Sequence, residues 1–221
     1  MVEIGPGRGA LTTHLLRRAR RVVAVEIDVV LVQYLNAKFR GEPRLEIIEG
    51  DVLKADLAEW RPNVIAGNVP YYITSPIIEK TLAVRPPVER TVFLVQKEVA
   101  ERLTAKPGTR EYGYLSVATQ FLAEAELLFT VSPGAFRPRP NVESAVVRLR
   151  PRPAVVDSAG FLQFASLCFR QKRKTLRNNL SVRYPREVVD ALPEAGMRAE
   201  QLPVADLLAI YRLLERHGEV P

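Results

Sequence analysis

The residues of this chain best suited to chemistry open it. Glu3-Ile4-Gly5-Pro6-Gly7-Arg8-Gly9 stands between a strand-like run and a helical pattern. Glycines let the backbone turn sharply and approach a ligand, and the helix that follows presents free N–H groups. A dinucleotide fingerprint would read Gly-x-Gly-x-x-Gly, with a pyrophosphate on the helix N-terminus. Here the pattern is Gly-x-Gly-x-Gly with Glu3 two positions before it. A carboxylate there suits a ligand that carries an ammonium and no phosphate, held directly or through water. S-adenosylmethionine is such a ligand. Glu26, with Ile27 after it, ends the second strand-like run and is placed to accept from two ribose hydroxyls. Asp51, with Val52 after it, ends the third and is placed to accept from an adenine amine. Each acid alone is as readily a helix cap or a surface residue. Three at the C-terminal ends of successive strands mark the edge where such sheets bind ligands.

Asn68-Val69-Pro70-Tyr71 follows the fourth strand-like run. It resembles the Asn-x-Pro-Tyr signature of enzymes that methylate amino groups conjugated to aromatic rings. The lone pair of such an amine is delocalised into its ring, so the nitrogen is a poor nucleophile. The Asn68 side-chain oxygen and the Val69 carbonyl form an acceptor pair for both amine hydrogens, favouring a pyramidal nitrogen. Pro70 restricts the backbone, and Tyr71 offers a stacking face for an extruded base. An ordinary turn is the plainer reading, since Asn and Pro are common there. Phe136, in Ala135–Ser144, is a candidate for the second stacking face; chemistry alone makes it equally a core residue. Arg137 and Arg139 beside it are candidate RNA contacts.

The net charge is +7 and favours a polyanionic partner. No Asp or Glu occurs between Asp157 and Glu187, while Arg170, Lys172, Arg173, Lys174, Arg177, Arg183 and Arg186 fall in that gap. Such a cluster reads as a phosphate-contacting surface, with Arg170, Lys172, Arg173, Lys174 and Arg177 as the candidate RNA contacts; a solvated helix face is the alternative. The single cysteine, Cys168, sits among Phe164, Leu167 and Phe169 and reads as a buried small side chain. It allows no internal disulfide, and no Cys/His spacing supports a metal site. His14 and His217 read as surface or core-edge residues. No apolar run reaches the roughly 18 residues of a membrane span, and the start lacks a secretory pattern, so a cytoplasmic location is expected; a monomer is the expected state, although these features do not bear on it.

The elements that must position these residues alternate. Strand patterns at Val2–Ile4, Arg21–Ile27, Leu45–Ile48, Val64–Ala66 and Thr91–Val95 are interleaved with helical patterns at Ala10–Ala19, around Leu31, Leu35 and Phe39, and around Val99 and Leu103. This implies βαβ units and a parallel sheet covered on both faces. Leu127–Val131 and Ala145–Leu149, joined by Ser132–Pro140, suit a terminal antiparallel hairpin. After Pro151-Arg152-Pro153 only helical patterns remain, at Phe161–Leu180, Pro185–Leu192 and Leu202–Arg216. The expected domains are therefore 1–152, catalytic, and 153–221, helical and RNA-binding.

Together the runs Glu3–Thr12, Asn68–Tyr71, Gln96–Leu103, Tyr112–Val117, Phe136–Leu149 and Cys168–Leu180 resemble the KsgA-type small-subunit rRNA adenine dimethyltransferases. Arg170–Leu180 is the most specific of them. The Erm-type large-subunit enzymes share the catalytic motifs but lack that tract; a non-catalytic ribosome-assembly factor is the alternative from another class. The resemblance implies a seven-stranded Rossmann-like methyltransferase sheet with a small helical domain. It also implies S-adenosylmethionine as cofactor, no metal, and dimethylation of two adjacent adenosines in the 3′-terminal hairpin of small-subunit rRNA during subunit assembly. Glu26, Asp51, Asn68 and the glycine loop match the family's cofactor positions. Val69 stands where Leu is usual. The family also carries a segment before its first strand, with a motif near the cofactor, whereas this chain begins inside that strand. The expectation is of a shortened chain that folds but binds its cofactor more weakly.

Overall fold

The computed structural model describes residues 1–70, 73–137, 139–153 and 158–218, with side chains through residue 215. Five strands, β1 (Val2–Ile4), β2 (Val22–Glu26), β3 (Leu45–Glu49), β4 (Val64–Asn68) and β5 (Arg90–Gln96), pair in parallel. Between them lie α1 (Ala10–Leu15), α2 (Val29–Lys38) and α3 (Thr74–Leu82). Next come α4 (Lys97–Thr104) and α5 (Tyr114–Leu122). The hairpin of β6 (Ala123–Val131) and β7 (Ser144–Pro151) then completes the sheet, β7 running antiparallel to both β5 and β6. The order is β3-β2-β1-β4-β5-β7-β6, the mixed seven-stranded sheet expected from the alternating patterns.

Every residue of β2 is buried, as a strand covered on both faces must be. β1 lies between β2 and β4, and the strand order reverses across the β1–β4 pair. In sheets of this kind the ligand crevice opens at that switch point, beyond the C-terminal ends of the strands.

The chain forms two compact units. One comprises Met1–Ala100 with Ala123–Pro151, and the other Glu101–Leu122 with Arg152–Pro221. The sequence suggested one break near residue 152; the structure adds an earlier excursion, residues 101–122, into the helical unit. The cause is apolar packing. The Phe121 ring lies 4.3 Å from that of Phe161, and the buried Tyr112 hydroxyl donates to the Leu202 carbonyl at 3.0 Å.

The remaining helices are α6 (Ser158–Cys168), α7 (Leu176–Leu180), α8 (Arg186–Asp190) and α9 (Val204–Gly218). The expected single helix Phe161–Leu180 is thus two helices with a turn between. Asn179, 3% exposed, explains the break. Its amide donates to the carbonyls of Cys168 at 2.8 Å and Gln171 at 3.3 Å, and its oxygen accepts from the Gln171 amide at 3.2 Å. A side chain that satisfies the backbone groups freed at a helix end makes the interruption cheap. Arg170–Lys174 therefore occupy a turn and not a helix face. Cys168 is buried, as expected, and burial pushes its thiol well above the ordinary range.

Candidate active site

The parallel strands bring their C-terminal ends to one edge. Gly5 follows β1, Glu26 ends β2, Asp51 follows β3 and Asn68 ends β4. The antiparallel β7 starts there too, because Ser144 pairs with Gln96 at the end of β5. The connection 132–143, which carries Phe136, Arg137 and Arg139, is thereby on the same edge. Topology alone assembles most of the residues singled out above.

Backbone bonds hold the glycine loop. Gly5 N–H donates to the Val25 carbonyl at 3.0 Å, and Gly9 N–H to that of Pro6 at 2.8 Å. Glu26 is 6% exposed and accepts three amides: Gly7 on Oε2 at 3.0 Å, and Ile27 and Asp28 on Oε1 at 2.9 and 3.1 Å. A carboxylate offers about four lone-pair sites, so roughly one remains for a ligand. Gly9 has φ +73, and a Cβ there would fall 2.6 Å from Cε2 of Phe39, which caps α2; this glycine lets the loop pack. Around Gly7 nothing lies within 4 Å of a Cβ position, so that face of the loop is open to a ligand.

Glu3 is 1% exposed and its Oε2 has no hydrogen-bond partner among the described residues. Burial pushes its carboxyl up to about 7, with the charge of Glu26 adding and Thr12 opposing. Thr12, the buried residue of α1, likewise has an unpartnered hydroxyl. A buried carboxylate oxygen without a donor costs free energy until it meets one. The open face at Gly7 and this oxygen fit a ligand with an ammonium group. Ile27, an apolar side chain 66% exposed beside Glu26, fits its ring system. Asp51 is partly buried; Oδ1 accepts from Leu53 N–H at 2.9 Å, closing the turn after β3. Val52 is buried beside it.

Asn68 is exposed at its strand end, paired with Leu94. The Val69 side chain is 1% exposed and anchors the motif in the core, while its N–H donates to the Leu94 carbonyl at 3.3 Å. The Pro70 carbonyl accepts from Ile73 N–H at 3.2 Å and the Thr74 hydroxyl at 3.1 Å. The first turn of α3 thus clamps the motif. Tyr71 lies outside the described residues. A Cβ on Gly5 would come within 3.5 Å of the Asn68 carbonyl, so the glycine loop and Asn68 meet across the switch point. Phe136 follows a short 3-10 turn, Pro133–Ala135, and is partly buried; Arg137 and Arg139 are exposed. Lys97 pins the far end of this connection, pairing with Glu143 at 2.7 Å.

Two further candidates escaped the sequence reading. Thr12 faces Glu3 from α1, and only the tertiary fold reveals it. Gly67 was legible in principle, since glycine inside a strand marks close backbone approach. A Cβ on it would lie 2.3 Å from the Ile4 carbonyl.

In the helical unit, the basic residues differ in what they touch. Lys172 Nζ donates to the Arg110 carbonyl at 2.9 Å, and Arg177 Nε pairs with Asp190 at 2.5 Å. Arg170, Arg173 and Lys174 are exposed. His14 is exposed on α1, and the side chain of His217 lies outside the described residues. Among the described residues no group of three or more His, Cys, Asp or Glu could hold a metal ion, and no helix is long and apolar enough to cross a membrane.

Comparison with known proteins gives a consistent picture. A family model described as "Ribosomal RNA adenine dimethylase" matches residues 1–216. A protein of Geobacillus kaustophilus named "Ribosomal RNA small subunit methyltransferase A" is 47% identical over 235 residues, covering 96% of this chain and 80% of that protein. The crystal structure of a dimethyladenosine transferase from Plasmodium falciparum superposes with a TM-score of 0.86 at 27% identity, covering 98% of this chain and 90% of that one. The 23S rRNA methyltransferase ErmE gives a TM-score of 0.72 at 31% identity, over 97% of this chain and 90% of that one.

Proposed function

The chain belongs to the ribosomal RNA adenine dimethylase family, and from that premise we propose that it methylates adenine amines of small-subunit rRNA with S-adenosylmethionine. The products in this reading are N6,N6-dimethyladenosines at two adjacent positions of the 3′-terminal hairpin, made during subunit assembly. The observation that carries the reading is the meeting of the glycine loop with Asn68 across the β1–β4 switch point.

S-adenosylmethionine supplies a methyl group on a positively charged sulfur. Glu3 receives the ammonium, the open face at Gly7 admits the amino-acid end, and Glu26 accepts from ribose with its remaining lone pair. Asp51 accepts from the cofactor's adenine amine, and Ile27 and Val52 give the ring apolar contact. The Asn68 side-chain oxygen and the Val69 carbonyl accept the two hydrogens of the substrate amine and aim its lone pair. Phe136 and Tyr71 stack the extruded base. Positioning of this kind supplies much of a transfer rate without a tuned general base. In the helical unit, Arg170, Arg173 and Lys174 contact rRNA phosphates, with Lys172 and Arg177 at the same surface and Arg137 and Arg139 in the catalytic unit.

The test is incubation with labelled cofactor and small subunits lacking adenine methylation, followed by nucleoside analysis. Labelled dimethyladenosine in small-subunit rRNA is expected. Label confined to large-subunit RNA would make the chain an Erm-type enzyme. Tight RNA binding without label would make it an assembly factor.

A further inference from the structure

A groove on the helical unit extends the RNA surface proposed above, sharing Arg170 with it. Gln163, Ser166, Leu167 and Arg170 follow one another at helical three- and four-residue spacing from α6 into the turn after it, and so share a face. Arg183 closes the other side, and the groove, which is open to solvent, has a volume of about 360 Å³. That falls within the roughly 300–1,000 Å³ of small-ligand sites. Leu167 is the partly buried apolar member; the other four are exposed. The side chains of Gln163, Ser166 and Arg170 bond to no described residue, in contrast to Lys172 and Arg177. Arg183 lies 5.5 Å over the Tyr184 ring and 3.9 Å from Glu215. Among the described residues no acidic one lines the groove, and none occurs in the sequence between Asp157 and Glu187.

We propose that this groove seats one unpaired nucleotide of the rRNA substrate, making it an RNA subsite distinct from the basic turn at 172–174. The inference rests on the rRNA methyltransferase reading and deepens it. The guanidinium groups of Arg170 and Arg183 flank the phosphate with planar donors. Leu167 supplies an apolar face for the sugar or base. The Ser166 hydroxyl and the Gln163 amide both donate and accept, which suits a ribose 2′-hydroxyl, the group that separates RNA from DNA.

The test measures binding to unmethylated small subunits across a salt series. It also compares a short oligouridylate with its deoxy counterpart. Arg170→Gln with Arg183→Gln should lower the slope of log affinity against log salt by about 1.4 to 1.8, two phosphate contacts at about 0.7 to 0.9 each. Gln163→Ala with Ser166→Ala should leave that slope unchanged and abolish the preference for ribose over deoxyribose. Melting temperatures close to the parent's are expected, because these side chains are exposed and the surface pair of Arg183 with Glu215 is worth at most about 1 kcal/mol. Variants that match the parent in slope and in sugar preference, while the parent methylates small-subunit rRNA, would overturn the groove alone. A parent that neither binds nor methylates that RNA would overturn the functional reading, and the groove with it.

Discussion

The Gly7 amide donates to Glu26 Oε2 at 3.0 Å, so the carboxylate ending β2 holds the loop that follows β1. Both of its oxygens are engaged by backbone donors. Glu26→Gln replaces one acceptor with an NH₂ group that meets an N–H. A buried donor left unsatisfied costs about 1–3 kcal/mol. Both the melting temperature and cofactor affinity should fall, read by calorimetry and titration. Parent values for both would show that the loop stands without this carboxylate.

Glu3 gives a pH dependence with a definite sign. Its folded pKa, about 7, lies above its ordinary 4.5 because burial disfavours the charge. The neutral form's contribution is complete below pH 4.5 and is lost as pH rises through 7. Relative to Glu3→Gln, the parent should therefore lose on the order of 3 kcal/mol of stability across that window. Cofactor affinity should run oppositely, weakening as pH falls below about 7, since an ammonium needs the ionised carboxylate. Denaturant melts at several pH values, with calorimetric proton counting on cofactor binding, check both. Identical pH profiles for parent and variant would remove Glu3 from the cofactor site.

Gly67 sets how closely β4 approaches β1. A Cβ would stand 2.3 Å from the Ile4 carbonyl, a backbone atom that cannot swing aside. Gly67→Ala should cost about 1–3 kcal/mol, as forced overpacking does. It should also displace Asn68 and depress methyl transfer beyond the loss of folded protein. A variant as stable and active as the parent would show that the strands part without consequence.

The sheet and most of the candidate site were legible because β-branched runs each end in an acid at the sheet's C-terminal edge. Val22–Glu26 and Leu45–Glu49 show this plainly. What was missed depends on contacts far apart in sequence. The break after Cys168 is made by Asn179, eleven positions on, inside a segment whose apolar spacing continues as if helical. The docking of α5 depends on Phe161, which only the fold brings to Phe121. Spacing made Glu3 a candidate, but not Thr12, which faces it from α1.

The basic segment should divide by what each residue already touches. Arg173→Gln with Lys174→Gln should lower the salt slope of RNA binding by about 1.4 to 1.8 and leave stability unchanged. Arg177→Gln breaks an exposed pair with Asp190. It should therefore lose up to about 1 kcal/mol of stability and change the slope less than one full contact. Filter binding across a salt series, with melts, distinguishes them. Equal slopes in all variants would make the turn a solvated surface.

The central claim is that Asn68 acts on the substrate amine and not on the RNA backbone. Its most direct test is single-turnover methyl transfer by Asn68→Ala on unmethylated small subunits, with RNA affinity measured in parallel. The account predicts a rate lower by on the order of a hundredfold or more, as for loss of one well-placed polar group, with RNA affinity nearly unchanged. A variant that transfers methyl groups at close to the parent's rate would contradict it.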